Sequence, residues 1–179
     1  MIRNEIISLI EKYKLEPKLQ LGQHFLADDE IIFNIIELFD KKDEVFCVGL
    51  GLGTLISKIA VRVKKIIVCE IDRELVKIFE KEYGPCLGNV EIILGDAFKI
   101  AWPNLPVFFS SLPYHAAEGL IKKAITHSSF KKIILIMPFS LFKRSKEIFD
   151  VEFELIREID GKKFYPESSS KSCLVRLVR

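Results

Sequence analysis

Residues 45–53 read Val-Phe-Cys-Val-Gly-Leu-Gly-Leu-Gly, an apolar run that passes directly into three alternating glycines. A segment with helical character follows from Thr54. The pattern predicts a buried strand, a tight turn and the beginning of a helix. Because glycine tolerates positive φ and has no Cβ, such a turn lets a ligand approach the backbone at the helix N-terminus.

The spacing of the glycines separates two candidate ligands. A dinucleotide-binding turn has the pattern G-x-G-x-x-G, whereas here Gly53 comes one residue early and Thr54 takes the expected place. We therefore expect S-adenosylmethionine (SAM) rather than NAD. A glycine-rich turn with only a structural role is the alternative at this point, and an NAD-dependent oxidoreductase is a third, disfavoured hypothesis.

Length and composition indicate an ordinary globular protein. The chain has 179 residues, of which 49% are hydrophobic and 29% charged, and its net charge of +2 is too small to indicate nucleic-acid binding by itself. We expect a single domain over residues 1–179, in which residues 1–40 form a helical lead-in and a cofactor loop.

The four cysteines and the apolar segments indicate in which cellular compartment the protein is expected. None of the cysteines has C-x-x-C spacing, and three lie in apolar runs where a thiol packs as a small hydrophobe, so we expect no zinc site and a reducing cytoplasm. The N-terminus has no signal-peptide core, and no run approaches the roughly 18 apolar residues of a membrane span. We expect a cytoplasmic protein without a membrane segment.

Helical and strand patterns alternate along the chain. An amphipathic helix over the first 13 residues is expected to end at Pro17, and a loop over residues 18–26 precedes a helix capped by Asp28 or Asp29 that runs through Phe39. The expected strands that follow are 45–48, 66–70, 90–94, 107–110 and 133–137, and the expected helices are 54–63, 73–83, 115–126 and 139–148.

This alternation predicts an α/β fold with right-handed crossovers and a mostly parallel sheet. Two final strands, 151–159 and 173–178, have no helix between them and are expected to form an antiparallel hairpin. Ligands of such sheets bind beyond the carboxyl ends of the strands. The predicted fold is a Rossmann-like α/β fold with a mostly parallel sheet of seven strands.

Two acidic residues follow strands in the expected order after the glycines. Glu70 ends the second strand about 20 residues on, where a carboxylate accepts hydrogen bonds from ribose hydroxyls. Asp96 follows the third strand, where it could accept from an adenine amino group. Each residue taken alone could equally be a strand-end cap.

The sequence Ser111-Leu112-Pro113-Tyr114 follows the fourth strand. The Ser111 side chain and the Leu112 carbonyl, held by Pro113, could accept the two hydrogens of an exocyclic amine, and Tyr114 could stack on the base. A β-turn with a buried tyrosine is the alternative.

These motifs together resemble the ribosomal RNA adenine dimethyltransferases of the KsgA and Dim type, to which the erythromycin-resistance methylases are related. The resemblance extends from Lys18 to Arg179. The family's motifs L-G-Q-N-F-L, E-I-G-P-G-L-G, E-I-D-R-x-L, G-D-A, N-L-P-Y, F-Y-P and V-R-L are matched by residues 21–26, 47–53, 70–75, 95–97, 111–114, 164–166 and 175–177.

The resemblance implies the fold of class I SAM-dependent methyltransferases. It also implies transfer of methyl groups from SAM to the exocyclic amine of adenine in ribosomal RNA, with rRNA or a small-subunit particle as partner and no metal. It implies that Ser111, Leu112, Pro113 and Tyr114 form the catalytic segment. The implied cofactor-binding residues are His24, Leu26, Gly49, Gly51, Glu70, Asp96 and Ser111. The target nucleotide, the number of methyl groups and the oligomeric state stay open.

The sequence departs from the family pattern at three motif positions. His24 replaces an asparagine of the cofactor loop, Cys47 replaces the glutamate that opens the glycine motif, and Ser111 replaces the catalytic asparagine, although unrelated DNA adenine methylases use serine there. We also expect the family's C-terminal helical domain to be absent, because the sequence ends directly after the last strand. A non-catalytic paralogue that binds RNA or an assembling ribosomal particle is therefore the alternative function.

Basic residues divide between the two ends of the predicted sheet. Lys64, Lys65, Lys131 and Lys132 precede strands and are expected at the edge away from the site. Those expected on the site side, where they could contact phosphates, are Lys143, Arg144, Lys146, Lys162, Lys163 and Lys171.

Overall fold

The computed structural model describes residues 1–111 and 116–178. Its strands are β1 (Phe25–Leu26), β2 (Glu44–Val48), β3 (Lys65–Glu70), β4 (Val90–Leu94), β5 (Val107–Ser111), β6 (Lys132–Pro138), β7 (Glu152–Ile159), β8 (Phe164–Tyr165) and β9 (Ser172–Val178). Its helices are α1 (Ile2–Tyr13), α2 (Asp29–Ile36), α3 (Thr54–Arg62), α4 (Arg73–Glu82), α5 (Ala117–Thr126), α6 (Phe139–Lys143) and α7 (Ser145–Phe149).

Seven of the strands form one sheet with the order β4-β3-β2-β5-β6-β9-β7. The first five run parallel, whereas β9 pairs antiparallel with both β6 and β7. The predicted mostly parallel sheet with an antiparallel C-terminal hairpin is therefore confirmed. The strand order reverses between β2 and β5, which opens a crevice beyond their carboxyl ends.

The sheet is covered by apolar side chains on both faces because successive residues of a strand point to opposite sides. In β5, Phe108 packs in a cluster with Phe46, Trp102 and Phe130, while the next residue, Phe109, packs edge to face against Phe39 on the other side. The central strands thus have the continuous apolar character that a doubly covered parallel sheet requires.

The first helix ends earlier than predicted. Lys14, not Pro17, terminates α1, and its backbone lies in the left-handed region at φ 50°. The Leu15 N–H donates to the Ile10 carbonyl and the Lys14 N–H to the Glu11 carbonyl, which is the Schellman pattern of helix termination. Leu15 is buried by this turn, so apolar burial rather than proline ends the helix.

The adjacent aspartates Asp28 and Asp29 have different roles. Asp28 caps α2, because its side chain accepts a hydrogen bond from the Ile31 N–H at 3.1 Å. Asp29 instead accepts from the Ile2 N–H at 3.1 Å and so joins the beginning of α1 to α2. The helix ends at Ile36, so the predicted extension through Phe39 was wrong, although Phe39 is buried.

Two further differences concern short elements. The expected helix over 139–148 is divided into α6 and α7, with Arg144 outside helical geometry between them. The loop over 18–26 contains β1, which pairs antiparallel with β8 from the final hairpin, so that Phe25 faces Tyr165 and Leu26 faces Phe164. This two-stranded sheet joins the N-terminal loop to the C-terminal hairpin.

Gly53 begins α3 in a conformation and a space that suit only glycine. Its φ is +82°, and a Cβ there would overlap the Phe79 ring and lie 3.1 Å from Tyr83 Cδ2. Phe79 lies in α4, and Tyr83 is the residue that caps the C-terminus of this helix. The third glycine of the motif therefore serves close packing between α3 and α4.

We predict that Gly53→Ala lowers the free energy of unfolding by about 2–4 kcal/mol, because a left-handed alanine is strained and its methyl group displaces the Phe79 ring. Gly88→Ala is the matched control, since a Cβ at Gly88 meets no atom within 4 Å among the described residues. Chemical denaturation monitored by circular dichroism measures both variants. Equal midpoints for the two variants would contradict this account of Gly53.

Candidate active site

A cavity of about 450 Å³ lies beyond the carboxyl ends of β2 to β5. Its volume is in the range of small-molecule sites. The predicted cofactor-binding residues all line it: His24, Leu26, Gly49, Gly51, Glu70, Asp96 and Ser111. The structure therefore brings together residues from His24 to Ser111, which lie 87 positions apart in the sequence.

The glycine turn forms the floor of this cavity. The Gly49 N–H, at the end of β2, donates to the Cys69 carbonyl of β3 at 2.9 Å. Gly51 has a φ of +59°, and a Cβ there would lie 3.4 Å from the Phe25 ring. The absence of a side chain at Gly51 thus leaves space between the turn and the N-terminal loop.

The Glu70 carboxylate holds the glycine turn to the end of β3. One oxygen accepts from the Leu50 N–H at 2.7 Å and the other accepts from the Asp72 N–H at 2.8 Å. The residue is only 6% exposed, and burial raises the pKa of Glu70, although its backbone hydrogen bonds act in the opposite direction. Each oxygen can accept a second hydrogen bond, so the carboxylate can also serve a ligand hydroxyl.

Asp96 lies in the loop after β4. Its Oδ1 accepts from the Phe98 N–H at 2.9 Å, which fixes the direction of the carboxylate. Lys99 is only loosely associated, with its Nζ 3.8 Å from Oδ2. A partly exposed carboxylate that lines a cavity in this way can accept hydrogen bonds from an amino group.

Two apolar side chains of the cavity were not predicted from the sequence. Ile71 is 57% exposed and Phe98 is 51% exposed, which is unusual for side chains of this size, and both line the cavity. Each lies within two residues of a predicted acidic site residue, Glu70 or Asp96, and this proximity is the sequence signal that could have identified them. An exposed apolar pair beside two carboxylates suits a ligand that combines a flat ring with an amino group and a sugar with hydroxyl groups.

The N-terminal loop is held to the hairpin on one side of the cavity. His24 Nδ1 lies 2.9 Å from the Pro166 carbonyl oxygen, and the following residues form β1 against β8. The histidine that replaces the family's asparagine therefore lines the cavity and also contacts the backbone of the hairpin. A contact between His24 and a cofactor stays a prediction.

Asp72 holds the same loop to the beginning of α4. Its Oδ2 accepts from Lys18 Nζ at 2.7 Å and from Gln23 Nε2 at 2.7 Å, while Gln23 Oε1 accepts from the Lys18 N–H at 2.8 Å. Burial raises the pKa of Asp72, but the hydrogen bonds from Lys18 and Gln23 outweigh it and place the pKa below its ordinary value. No sequence pattern predicted this network.

Ser111 lines the cavity at the end of β5 and is partly exposed. The preceding Ser110 is fully buried, and its hydroxyl donates to the Val48 carbonyl at 2.6 Å, which joins β5 to β2. The other predicted catalytic residues, Leu112, Pro113 and Tyr114, lie outside the described residues.

Cys47 is not part of the cavity. It is fully buried in the apolar core, and its Sγ donates to the Gly49 carbonyl at 3.5 Å. Burial raises the pKa of Cys47 well above its ordinary value, and burial raises that of the cavity-lining Cys69 to about 11. Both thiols therefore stay protonated and pack as small hydrophobic groups, as the sequence predicts.

Several basic residues have acidic partners. At the edge away from the cavity, Lys64, Lys65 and Lys132 form ion pairs with Glu44, Glu91 and Asp43. On the other side, Lys163 forms an ion pair with Asp28, and Lys143 lies over the Phe139 ring at 5.0 Å from its centroid. Pairing with Asp28 leaves Lys163 less able to contact phosphate than the sequence suggests.

In residues 1–111 and 116–178, no group of three or more His, Cys, Asp or Glu side chains could hold a metal ion. Within the same residues, none of the helices has the length and apolar character needed to cross a membrane.

Comparison with known proteins identifies the family. Residues 15–179 match the family described as "Ribosomal RNA adenine dimethylase". The chain is 31% identical, over an alignment of 191 positions, to a protein of Pyrococcus abyssi named "Probable ribosomal RNA small subunit methyltransferase A". This alignment covers 97% of the chain and 70% of the relative, whereas the chain spans about half the length of several other curated relatives that it matches.

Solved structures have the same fold. A dimethyladenosine transferase from Plasmodium falciparum superposes with a TM-score of 0.77 at 24% identity, over 87% of this chain and 63% of that one. The 23S rRNA methyltransferase ErmE superposes with a TM-score of 0.78 at 20% identity, over 87% of this chain and 69% of that one. The fold is thus that of class I SAM-dependent methyltransferases, as the sequence predicted, and the chain belongs to the ribosomal RNA adenine dimethylase family.

Proposed function

We propose that this chain is a SAM-dependent methyltransferase that transfers methyl groups to the exocyclic amine of adenine in ribosomal RNA. The observation that carries the proposal is the cavity, in which the glycine turn, Glu70, Asp96 and Ser111 meet at the switch point of the sheet. Membership of the rRNA adenine dimethylase family and the names of the relatives support the choice of substrate.

The volume of the cavity and the chemistry of its lining suit SAM. Gly51 leaves open the space beside the turn that a side chain would narrow, Glu70 offers acceptors for ribose hydroxyls, and Asp96 offers an acceptor for the adenine amino group. The exposed side chains of Ile71 and Phe98 provide apolar surface for the adenine ring. Bound SAM would supply an electrophilic methyl group on its sulfonium.

The chain's own residues would position the target amine. The amine lone pair of adenine is delocalised into the ring, so it is a poor nucleophile. Hydrogen bonds from the amine to Ser111 Oγ and to the Leu112 carbonyl would favour a pyramidal nitrogen. Tyr114 would stack on the base once the base is flipped out of the RNA. Catalysis would then depend on positioning and on oriented hydrogen bonds.

The proposal includes partner and location. We propose ribosomal RNA, free or within a small-subunit particle, as the partner, and the cytoplasm as the location. The buried, protonated state of Cys47, Cys69 and Cys173 suits a reducing compartment. We propose further that residues 1–179 act as one domain, since the N-terminal loop supplies His24 and Leu26 to the cavity formed by the sheet.

Asp96→Asn tests the cofactor site. The asparagine Oδ1 can still accept from the Phe98 N–H, but its amide N–H groups would then face the hydrogens of the adenine amino group. We expect the affinity for S-adenosylhomocysteine (SAH) to fall about 10–100-fold in calorimetry, which is the effect of losing a hydrogen bond to a charged group.

Asp160→Asn is the matched control for this experiment. Asp160 Oδ1 accepts from the N–H two residues later, that of Lys162, at 2.9 Å, as Asp96 does from Phe98, but Asp160 does not line the cavity. We expect this variant to bind SAH like the parent. If Asp96→Asn also binds like the parent, the assignment of Asp96 to the adenine is wrong.

Ser111 variants test the methyl transfer itself. The measurement is single-turnover transfer of labelled methyl from SAM to small-subunit particles that lack the modification. Ser111→Ala should slow transfer by roughly 10–100-fold, or ~1.4–2.7 kcal/mol in the barrier, because one acceptor for the amine is lost. Ser111→Asn should preserve or raise the rate, since it restores the family's residue, and Tyr114→Ala should remove stacking worth ~1–3 kcal/mol.

Ser129→Ala is the control for these variants, because Ser129 contacts Asn104 rather than a residue of the cavity. In every Ser111 variant, the affinity for SAH should change much less than the rate of methyl transfer. If the parent binds SAH but neither the parent nor Ser111→Asn transfers methyl groups, the non-catalytic RNA-binding paralogue becomes the better hypothesis.

A further inference from the structure

We infer that Lys123 is a positioning residue for the cofactor site. It orients the Asp96 carboxylate through the peptide group between Ala97 and Phe98. The inference rests on the proposed use of SAM and on the proposed role of Asp96. Lys123 lies on α5, outside the residues that line the cavity.

The contacts of Lys123 are directed at the backbone of one loop. Its Nζ donates to the Ala97 carbonyl at 2.8 Å and to the Ile100 carbonyl at 3.1 Å, and it lies 4.7 Å from the centroid of the Trp102 ring. An ammonium has three donors, and here two carbonyls and an aromatic face surround it. The side chain therefore spans and closes the loop after Asp96.

The neighbouring Lys122 shows how an ordinary surface lysine of the same helix behaves. Its Nζ pairs with Glu118 at 2.7 Å, one turn away, and both side chains are more than half exposed. None of the ion pairs formed among residues 1–111 and 116–178 includes Lys123. Lys123 thus differs from Lys122 because its Nζ donates to backbone carbonyls, whereas that of Lys122 pairs with a carboxylate.

The Ala97 carbonyl and the Phe98 N–H belong to the same planar peptide group. The carbonyl end of this group accepts from Lys123 and also from Trp102 Nε1 at 2.8 Å. The N–H end donates to Asp96 Oδ1 at 2.9 Å. Because the group is rigid, donors that fix its carbonyl also fix the direction of its N–H, and so the orientation of the Asp96 carboxylate.

The same face of α5 contacts the loop a second time. Gly119 lies one turn before Lys123, and a Cβ there would be 2.9 Å from the Phe98 ring. Residues four positions apart share a helix face, so Gly119 and Lys123 together dock α5 against the loop. The helix thus acts as the rigid reference against which both Asp96 and Phe98 are placed.

The experiment compares two ligands that differ at one group. SAH carries the adenine amino group, and S-inosylhomocysteine carries a carbonyl at the same position. The parent should prefer SAH, and Lys123→Met, which keeps an apolar stem on Trp102 but has no donor, should reduce this preference about 5–30-fold. A change in the ratio of the two affinities reports on Asp96, whereas general loosening of the cavity lowers both affinities alike.

Three further variants make the result specific. Lys123→Arg keeps donors for the carbonyls and should retain most of the preference, and the control Lys122→Met should retain all of it. In the Asp96→Asn background, Lys123→Met should change the ratio no further, because the residue through which Lys123 acts is already lost. If Lys123→Met does not fold, Trp102→Phe, which removes only the second donor to Ala97, should lower the preference in the same direction.

The outcomes separate the inference from the proposed function. An unchanged affinity ratio in Lys123→Met, or a further change in the Asp96→Asn background, overturns the inference while the cofactor proposal stands. A parent protein that binds neither ligand overturns the proposed function and the inference with it.

Discussion

The site depends first on the Glu70 carboxylate, which accepts one N–H from the glycine turn and one from the beginning of the next helix. These two segments follow the neighbouring parallel strands β2 and β3, so the Leu50 N–H and the Asp72 N–H both donate to this one carboxylate. A neutral apolar side chain at Glu70 would leave both N–H groups buried and unpaired, at a cost of about 1–3 kcal/mol each. The shape of the cavity floor and the proposed contact to ribose therefore come from the same carboxylate.

Around this carboxylate, the site is assembled from loops that are each fixed by backbone contacts. The N-terminal loop is held by Asp72, and the loop after β4 is held by Lys123 and Trp102. Ser110 joins the strands on either side of the switch point. Side chains outside the cavity lining thus hold the loops and strands that carry His24, Asp96 and Ser111, as is common in sites built on strand ends.

Sequence patterns were sufficient to predict the sheet and to place two acidic residues at one edge of it. The strand over 90–94 was predicted with its observed bounds, because apolar alternation and flanking turn residues are local signals. Glu70 and Asp96 line the cavity because a position directly after a parallel strand lies at the carboxyl edge of the sheet, and their contacts to a cofactor stay a prediction. Local patterns could not reveal β1 and β8, because a strand of two residues has no periodicity. Their pairing also joins segments that are far apart in the sequence, since Phe25 pairs with Tyr165 and Leu26 with Phe164.

The same limit applies to contacts that depend on the assembled fold. Lys18 and Asp72 lie 54 residues apart, and Lys123 and Ala97 lie 26 apart, so neither pair has a sequence signature. Lys14 ends α1 in a left-handed conformation although it is not glycine, because burial of Leu15 compensates for the strain. Partners brought together by folding, rather than residue types, determine these features.

The attachment of the N-terminal loop at both ends has a consequence for the thermodynamics of ligand binding. Polar contacts to Asp72 hold the loop at one end, and pairing of β1 with β8 holds it at the other, without any contribution from a ligand. Ordering a backbone segment loses roughly 1–2 kcal/mol of conformational entropy per residue. Here the chain loses this entropy when it folds. A ligand that binds beside His24 and Leu26 therefore contacts a segment that is already ordered, and little binding free energy is lost in ordering it.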